Sequence, residues 1–483
     1  MVGIFFGANM GHRQGENRHQ AALFPLMLDE LVGPDDLVRV IDAWISSLDL
    51  KALGFSKAQT QIMGRPPYDP ADLLKLYIWG YLNAVRSSRA LERQTHSNVK
   101  CMWLLGRLQP DHKTIAEFRR ANVHALVAVC ASFVQFARAQ QLIASNTIAI
   151  DGSKIRAVAS RKTIIRADDL TKLAQHNAQE IERYLQVLDT QDSAQDAQPQ
   201  TKTHDVQRAL RQLRERQAAI QAGVEQLATN RSNSLVQTEP QAKLMKSLHG
   251  PGYNLQTAVE AASHLIVAHE VVNDVSDRSQ LHPMAQTANR VLQTICTVVA
   301  DAGYSNGEHL AKLQDQGVVC FVAPNRNINN QGDGTLYDKS AFSYDHKTDT
   351  LQCPVGKTLK RKTGKRQDKM IIYAADHWDC QVCASKSKCT GAKQRFVSRH
   401  EYEQALQDNA IRLAAKPQMM RLRRSTVEHP FGTIKTQILG NARLLMRGLE
   451  GARAELSLAV LAYNLKRVFN MKGGAWMLQA TGA

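Results

Sequence analysis

Two short apolar runs in this chain, Thr147-Ile148-Ala149-Ile150 and Thr297-Val298-Val299-Ala300, each run into an aspartate, Asp151 and Asp301. Runs this short, flanked by turn residues, read as buried strands. In an open α/β sheet ligand chemistry gathers at strand ends, so two aspartates placed there can approach one another. The surrounding pattern supplies the rest of such a sheet. Tyr253–Ala261 and His264–Val272 are β-rich, with a turn at Ala262-Ser263. Leu281–Leu292 and Asn306–Gln314 are helical, and Val318–Val322 is a further strand. Strand, hairpin, helix, strand, helix, strand is the order of an α/β core with a mixed sheet.

Other segments flank or interrupt this core. Residues 1–22 have no periodicity and read as a loose terminus, whereas 23–140 are helical and form an all-α N-terminal domain. Asp69-Pro70 is a helix start, Ser87-Ser88 a break, and Thr114-Ile115-Ala116-Glu117 a capping box. Leu74–Thr95 thus becomes two helices about a short turn, exposing Arg86, Arg89 and Arg93 as candidate DNA contacts. A helix-turn-helix reader fits, and so does a plain bundle with a charged outer face, which spacing alone favours. Within 166–228, Leu170, Leu173, Ile181, Leu185 and Leu188 precede a polar break, Gln191–Lys202. Val206, Leu210, Leu213, Gln217, Ile220, Val224 and Leu227 then mark a heptad seam, giving an antiparallel helical hairpin. Residues 326–400 are polar, basic and short of apolar residues. Helices at Glu401–Ala414, Ser425–Leu439 and Arg453–Asn470 follow, so 141–325 and 401–472 make one catalytic unit with 473–483 as a tail.

Charge bears on the partner. The chain carries 61 Lys+Arg against 44 Asp+Glu, a formal +17, which suits a polyanion without proving one. Lys357–Lys369 holds seven of those cations against one Asp, either a DNA contact or a solvated run. No apolar stretch approaches the roughly 20 residues of a membrane span; Leu73–Leu82 has Lys75 inside it. A cytoplasmic protein is expected, in which disulfides are not. Cys101, Cys130, Cys296 and Cys320 sit among apolar neighbours as core. Cys380-Gln381-Val382-Cys383, Cys389 and the upstream Cys353 have spacing that suits a structural zinc, with His377 as a substitute for Cys353; unmetallated loop cysteines are the alternative.

Magnesium takes hard oxygen donors, and two ions about 4 Å apart need a third carboxylate beside two aspartates. Glu428 is the candidate. Arg424 and Lys435 share its helix face, although spacing alone favours a surface ion-pair ladder. His112 and His429 could touch DNA or orient a water, but read more readily as ordinary hydrogen-bonded histidines; Asp277 could join the acidic cluster, but reads more readily as an N-cap of the following helix.

Several segments, taken in order, resemble the DDE transposases of bacterial insertion sequences, in the branch with a helical N-terminal domain before an RNase-H-like catalytic domain. They are GRPPYDPADLLKLYIWGYLNAVRSSRALER, LQPDHKTIAEFRRAN, IAIDGSKIRAVAS, GYNLQTAVEA, VVADAGYSN, STVEHPFGTIK and LAYNLKRV, spread over about residues 22–470. The resemblance implies that Asp151, Asp301 and Glu428 hold two Mg²⁺ or Mn²⁺ ions. It also implies cleavage at terminal inverted repeats, joining to target DNA, and a homodimer that pairs two DNA ends. Relatives carry a Tyr, an Arg, the Glu and a Lys on the late helix. Arg424, Glu428 and Lys435 match, but Arg421 stands where the Tyr belongs, as a possible phosphate contact. A nuclease of the same fold without strand transfer, and a DNA-binding protein with a decayed site, are the alternatives.

Overall fold

The structure is a computed structural model that describes residues 27–59, 66–193, 200–229, 233–324, 336–362 and 369–482. The expectations for residues 1–22, for Leu188 and Val206 on the heptad seam, and for most of the polar break fall outside the described side chains.

Among the described residues the N-terminal region holds six α-helices: α1 (Leu37–Ser46), α2 (Pro70–Leu82), α3 (Ser88–Ser97), α4 (Val99–Leu104), α5 (His112–Ala121) and α6 (Val123–Ala139). Short polar side chains open most of them, satisfying N–H groups that the first turn leaves free. Asp69 and Ser87 cap α2 and α3 as their sequence suggests. The capping box at Thr114 is displaced: α5 opens at Asp111, whose carboxylate accepts from the N–H groups of Lys113 and Thr114. One core joins these helices to the long C-terminal helix. Trp44, Leu74, Tyr77 and Phe133 pack in the same cluster as Leu458, Leu461 and Leu465.

The sequence places Arg86 on the surface, and the structure does not. Arg86 is buried, donating to Glu455 Oε1 at 2.8 Å and to the Arg443 carbonyl at 3.0 Å. Glu455 is itself buried, and its other oxygen accepts from the N–H groups of Leu445 and Met446. Arg86 is therefore an internal ion-pair partner and no DNA contact, whereas Arg89 and Arg93 are exposed.

The main sheet contains β1 (Thr147–Arg156), β4 (Lys243–Met245), β5 (Gly250–Glu260), β6 (Ile266–Val272), β7 (Thr297–Ala300) and β8 (Cys320–Val322), while β2 (Ile164–Arg166) and β3 (Ser234–Val236) pair separately. Its order is β4-β5-β1-β7-β8, with β6 also pairing β5, on the edge that β4 shares and opposite β1. β1 is antiparallel to β5 and parallel to β7, with Ile150 opposite Ala300. Side-chain alternation then decides everything nearby. Ile148, Ile150, Val298 and Ala300 face a core shared with α9 (Leu281–Leu292) and α10 (Gly307–Asp315). Ala149 and Val299 face the opposite side and meet Val427. Asp151 and Asp301, each two residues further along, share that second side. β1 does not stop at Asp151 but continues to Arg156.

Helices α7 (Ala167–Ser193) and α8 (Gln200–Thr229) form the hairpin, closed by Leu170, Ile220, Leu227 and Leu235. The segment expected to be irregular and coreless is in fact a five-stranded antiparallel sheet. Its strands are β9 (Ser343–Asp345), β10 (Thr350–Gln352), β11 (Thr358–Arg361), β12 (Met370–Ala375) and β13 (Phe396–His400), with α11 (His377–Gln381) between the last two. Phe342, Leu351, Leu359, Tyr373 and Val397 give it a small core of its own. After it come α12 (Glu403–Ala415), α13 (Gln418–Gly432), a π-helical turn at Thr433–Ile438, and α14 (Gly448–Lys472). The expected tail is helix α15 (Gly474–Thr481), which buries Met477 and packs on α1. Among the described residues no single helix is long and apolar enough to cross a membrane.

Candidate active site

Neighbouring parallel strands at the same register carry Asp151 and Asp301 side by side, and a single group joins them. Arg423 Nη2 lies 2.8 Å from Asp151 Oδ2 and 3.4 Å from Asp301 Oδ2. The two carboxylates are not equivalent, their side chains being 18% and 46% exposed respectively. Burial pushes the Asp151 carboxyl up to about 6, against the opposing pull of Arg423 and of the Gly152 N–H, with Asp301 and Asp277 adding to the rise. Asp301 instead opens to solvent and accepts from the Gly303 N–H at 2.9 Å, capping the short turn that follows β7.

Beside the pair is a polar cradle centred on Asp277, as in the weaker of the two sequence readings for that residue. Asp277 Oδ1 accepts from Lys154 Nζ at 2.9 Å, from Asn254 Nδ2 at 2.7 Å and from Gln256 Nε2 at 2.7 Å. It is thus a third aspartate at the site, and its carboxylate is not the N-cap expected for α9, which Gln280 occupies. Gln256 Oε1 in turn accepts from the buried Tyr304 hydroxyl at 2.5 Å. Burial, then the charges of Asp277, Asp151 and Asp301, raise the Tyr304 phenol far above its ordinary range, so it stays protonated and donates. Gly152 makes room for all this. A Cβ there would stand 2.4 Å from Gln256 Nε2 and 2.6 Å from Asp277 Oδ1, closer than atoms pack.

α13 supplies the cations. Met420, Arg423, Val427 and Pro430 follow one another at helical spacing, and Val427 and Pro430 are buried. Arg423 thus projects from the stripe that packs on β1 and β7. Glu428, the expected third ligand, is exposed on the same helix, as are Arg421 and Arg424. Glu428 is not among the charges that act most strongly on Asp151. Lys435 is half-buried in the π-helical turn, where burial lowers its ammonium and Asp151 partly restores it. The structure therefore gathers Asp151 and Asp301 about Arg423, with Lys435 near enough for Asp151 to act on it, while Glu428, Arg421 and Arg424 are exposed on α13. Among the described residues no group of three His, Cys, Asp or Glu side chains is arranged to hold a metal ion. Sequence reasoning missed Arg423; an arginine interrupting an apolar helical stripe was the available signal.

Both histidines have ordinary partners. His112 Nδ1 pairs with Glu92 Oε2 at 3.0 Å, and His429 Nδ1 with the Tyr463 hydroxyl at 3.1 Å. The four clustered cysteines gather about the small sheet. Cys353, Cys380 and Cys389 border its core, and Lys357, in the turn after Cys353, pairs with Asp379 beside Cys380 at 2.9 Å. The Lys357 N–H points at Cys353 Sγ, 3.3 Å away. Burial raises the Cys389 thiol; Arg395 opposes this, and Cys380, Cys353 and Cys383 add to it.

Residues 26–121 match the family model described as Transposase domain (DUF772), and residues 237–465 match the Transposase DDE domain. The chain belongs to the DDE transposases, as its sequence segments implied. The second match contains Asp301 and Glu428, while Asp151 lies between the two. No curated protein matches the chain. Among solved structures, the cryo-EM structure of a piggyBac transposase synaptic complex with hairpin DNA is similar over 92% of this chain and 79% of that one, at 8% identity and a TM-score of 0.32.

Proposed function

We propose that this transposase cleaves DNA at the ends of its element and joins the freed 3′-hydroxyl to a target, at a site centred on Asp151 and Asp301. One observation carries the reading: two carboxylates on adjacent strands converge on one cation, Arg423. That arrangement fits a divalent ion, because such a pair offers the hard oxygen donors that Mg²⁺ or Mn²⁺ takes. Glu428 is the third donor in this proposal, on the family's pattern. Two bound ions would supply an activated attacking oxygen and a stabilised leaving oxygen.

The chain's own residues do the rest. The protonated Tyr304 fixes Gln256, which with Asn254 and Lys154 holds Asp277 in place behind Asp151. Lys435 places positive charge next to Asp151, where a phosphate would enter. Arg424 and Arg421, exposed on α13, contact backbone phosphates to either side, and Arg89 and Arg93 contact DNA from the N-terminal region. The formal +17 supports a polyanionic partner, and pairing two ends calls for a homodimer. Cys353, Cys380, Cys383 and Cys389 would hold a structural zinc by drawing closer together than they stand, which would tie the β10–β11 turn to α11; their gathering about one small sheet supports this.

The direct test is a duplex carrying the element's end, incubated with purified protein and Mg²⁺. Nicking at the end followed by joining to a second duplex is expected, with both lost in Asp301→Asn and Glu428→Gln. Nicking without joining would reduce the reading to a nuclease.

A further inference from the structure

We infer that Arg423 is an internal counter-ion for the aspartate pair, occupying the position a divalent ion takes and having to leave when that ion binds. The inference rests on the reading of Asp151 and Asp301 as metal donors. It adds that Arg423 competes with the ion for the two carboxylates, so that metal binding is a displacement and not a simple filling.

Three observations carry it. First, one guanidinium nitrogen serves both carboxylates, at 2.8 and 3.4 Å. A surface ion pair needs no such sharing, and a pair of carboxylates facing each other repel unless a cation lies between them. Second, the side chain is only 18% exposed, and its Nε is buried with no hydrogen-bond partner among the described residues. A donor left unmet in a buried position is a cost that the ion pair must outweigh. It also means that fewer bonds hold the guanidinium here than it could make elsewhere. Third, Arg423 sits on the sheet-facing stripe of α13, in register with Val427, so the fold and not chance delivers it to this point.

The chemistry then makes the two cations exclusive. Magnesium sits about 2.0–2.1 Å from its oxygen ligands. A divalent ion held by Asp151 and Asp301 would compete with the guanidinium for the same carboxylates, and the two positive charges would repel. The arginine stem is long and flexible enough to swing the guanidinium outward, which a fixed backbone donor at this position could not do. Arg423 is a positioning residue in this scheme. It keeps the carboxylates converged before loading and lowers the site's apparent metal affinity by the fraction of time it occupies the site.

Calorimetric titration of the full chain with Mn²⁺ alone tests this, with folding checked by circular dichroism. Arg423→Ala and Arg423→Gln are expected to bind Mn²⁺ about tenfold more tightly than the unsubstituted chain. Asp151→Asn should lose the site. Equal or weaker binding in folded Arg423→Gln, with Asp151→Asn still losing the site, would show that Arg423 is a structural ion-pair partner and overturn the inference. Undiminished binding in Asp151→Asn would instead remove the metal assignment itself. If Arg423→Ala fails to fold, the isosterically milder Arg423→Gln decides the matter.

Discussion

Arg423 donates to Asp151 across 2.8 Å, and this contact fixes the acidic end of β1 against α13. Asp151 nonetheless bears a carboxyl that burial has pushed up to about 6. A raised carboxylate costs folding free energy when ionised. The cost is absent below the ordinary value near 3.8 and grows as pH rises through about 6. Asp151→Asn should therefore abolish Mg²⁺-dependent cleavage, by about a thousandfold or more, while leaving end binding within a few-fold. It should also raise the unfolding free energy at pH 7–8 by about 1–3 kcal/mol. Urea titrations at pH 8 and pH 4 check the second claim, since the gain should vanish at the lower pH.

The buried pair of Arg86 and Glu455 predicts a sharp division among the N-terminal arginines. Removing one partner leaves the other charged and dry, at a cost of about 3–5 kcal/mol. Arg86→Ala and Glu455→Ala should lower the urea midpoint and leave DNA affinity per folded molecule unchanged. Arg89→Ala and Arg93→Ala should do the reverse, weakening DNA binding and reducing its salt slope by about one per lost phosphate contact. Equal DNA affinity in all four would remove the N-terminal region from the DNA interface.

His269 predicts acid sensitivity. It lies buried on β6, 2.8 Å from the Ser457 hydroxyl on α14, and burial pushes its imidazole down to about 4. The unfolded chain therefore takes up a proton before the folded one does. The stabilisation is complete above the ordinary value near 6.5 and is lost as pH falls toward 4, by about 3 kcal/mol at the lower end. His269→Asn should flatten that part of the stability–pH profile, read as melting temperature between pH 7 and pH 4.5.

Zinc content tests the cysteine-rich sheet. One zinc per chain by elemental analysis is expected, falling in Cys380→Ser and Cys383→Ser. Because Leu351, Leu359, Tyr373 and Val397 already form a core, chelation should loosen the β10–β11 turn without unfolding the sheet. Hydrogen exchange can resolve the two. Metal-free protein with all four thiols reactive from the start would dismiss the site.

What the sequence disclosed and what it hid follow from the range of the interactions. Asp151 and Asp301 were legible because a four-residue apolar run before a carboxylate is a local signal, and sheet geometry does the pairing. Arg86 was misjudged because its partner, Glu455, lies on the last long helix, and no spacing within α2 or α3 reveals that. The small sheet was missed because two of its strands have only three residues and part of its packing is polar. Arg399 stacks 3.6 Å over the Tyr344 ring, and Asp349 accepts from both Tyr344 and Tyr373. Hydrophobic alternation cannot register such packing. Asp277 looked like a cap because caps are decided by neighbours, whereas its three donors come from β1 and β5.

The shared core of the first and last helices has a consequence for how the chain is made. The residues that complete the packing around Trp44, Tyr77 and Phe133 belong to α14 and leave the ribosome long after those early helices. The early helices must wait, with apolar surface uncovered, through more than 300 residues of translation. A truncated product lacking α14 would hold the exposed Arg89 and Arg93 on an unfinished scaffold. Premature termination in this gene should therefore yield aggregating or degraded chains and not a stable DNA-binding fragment that competes with the intact enzyme.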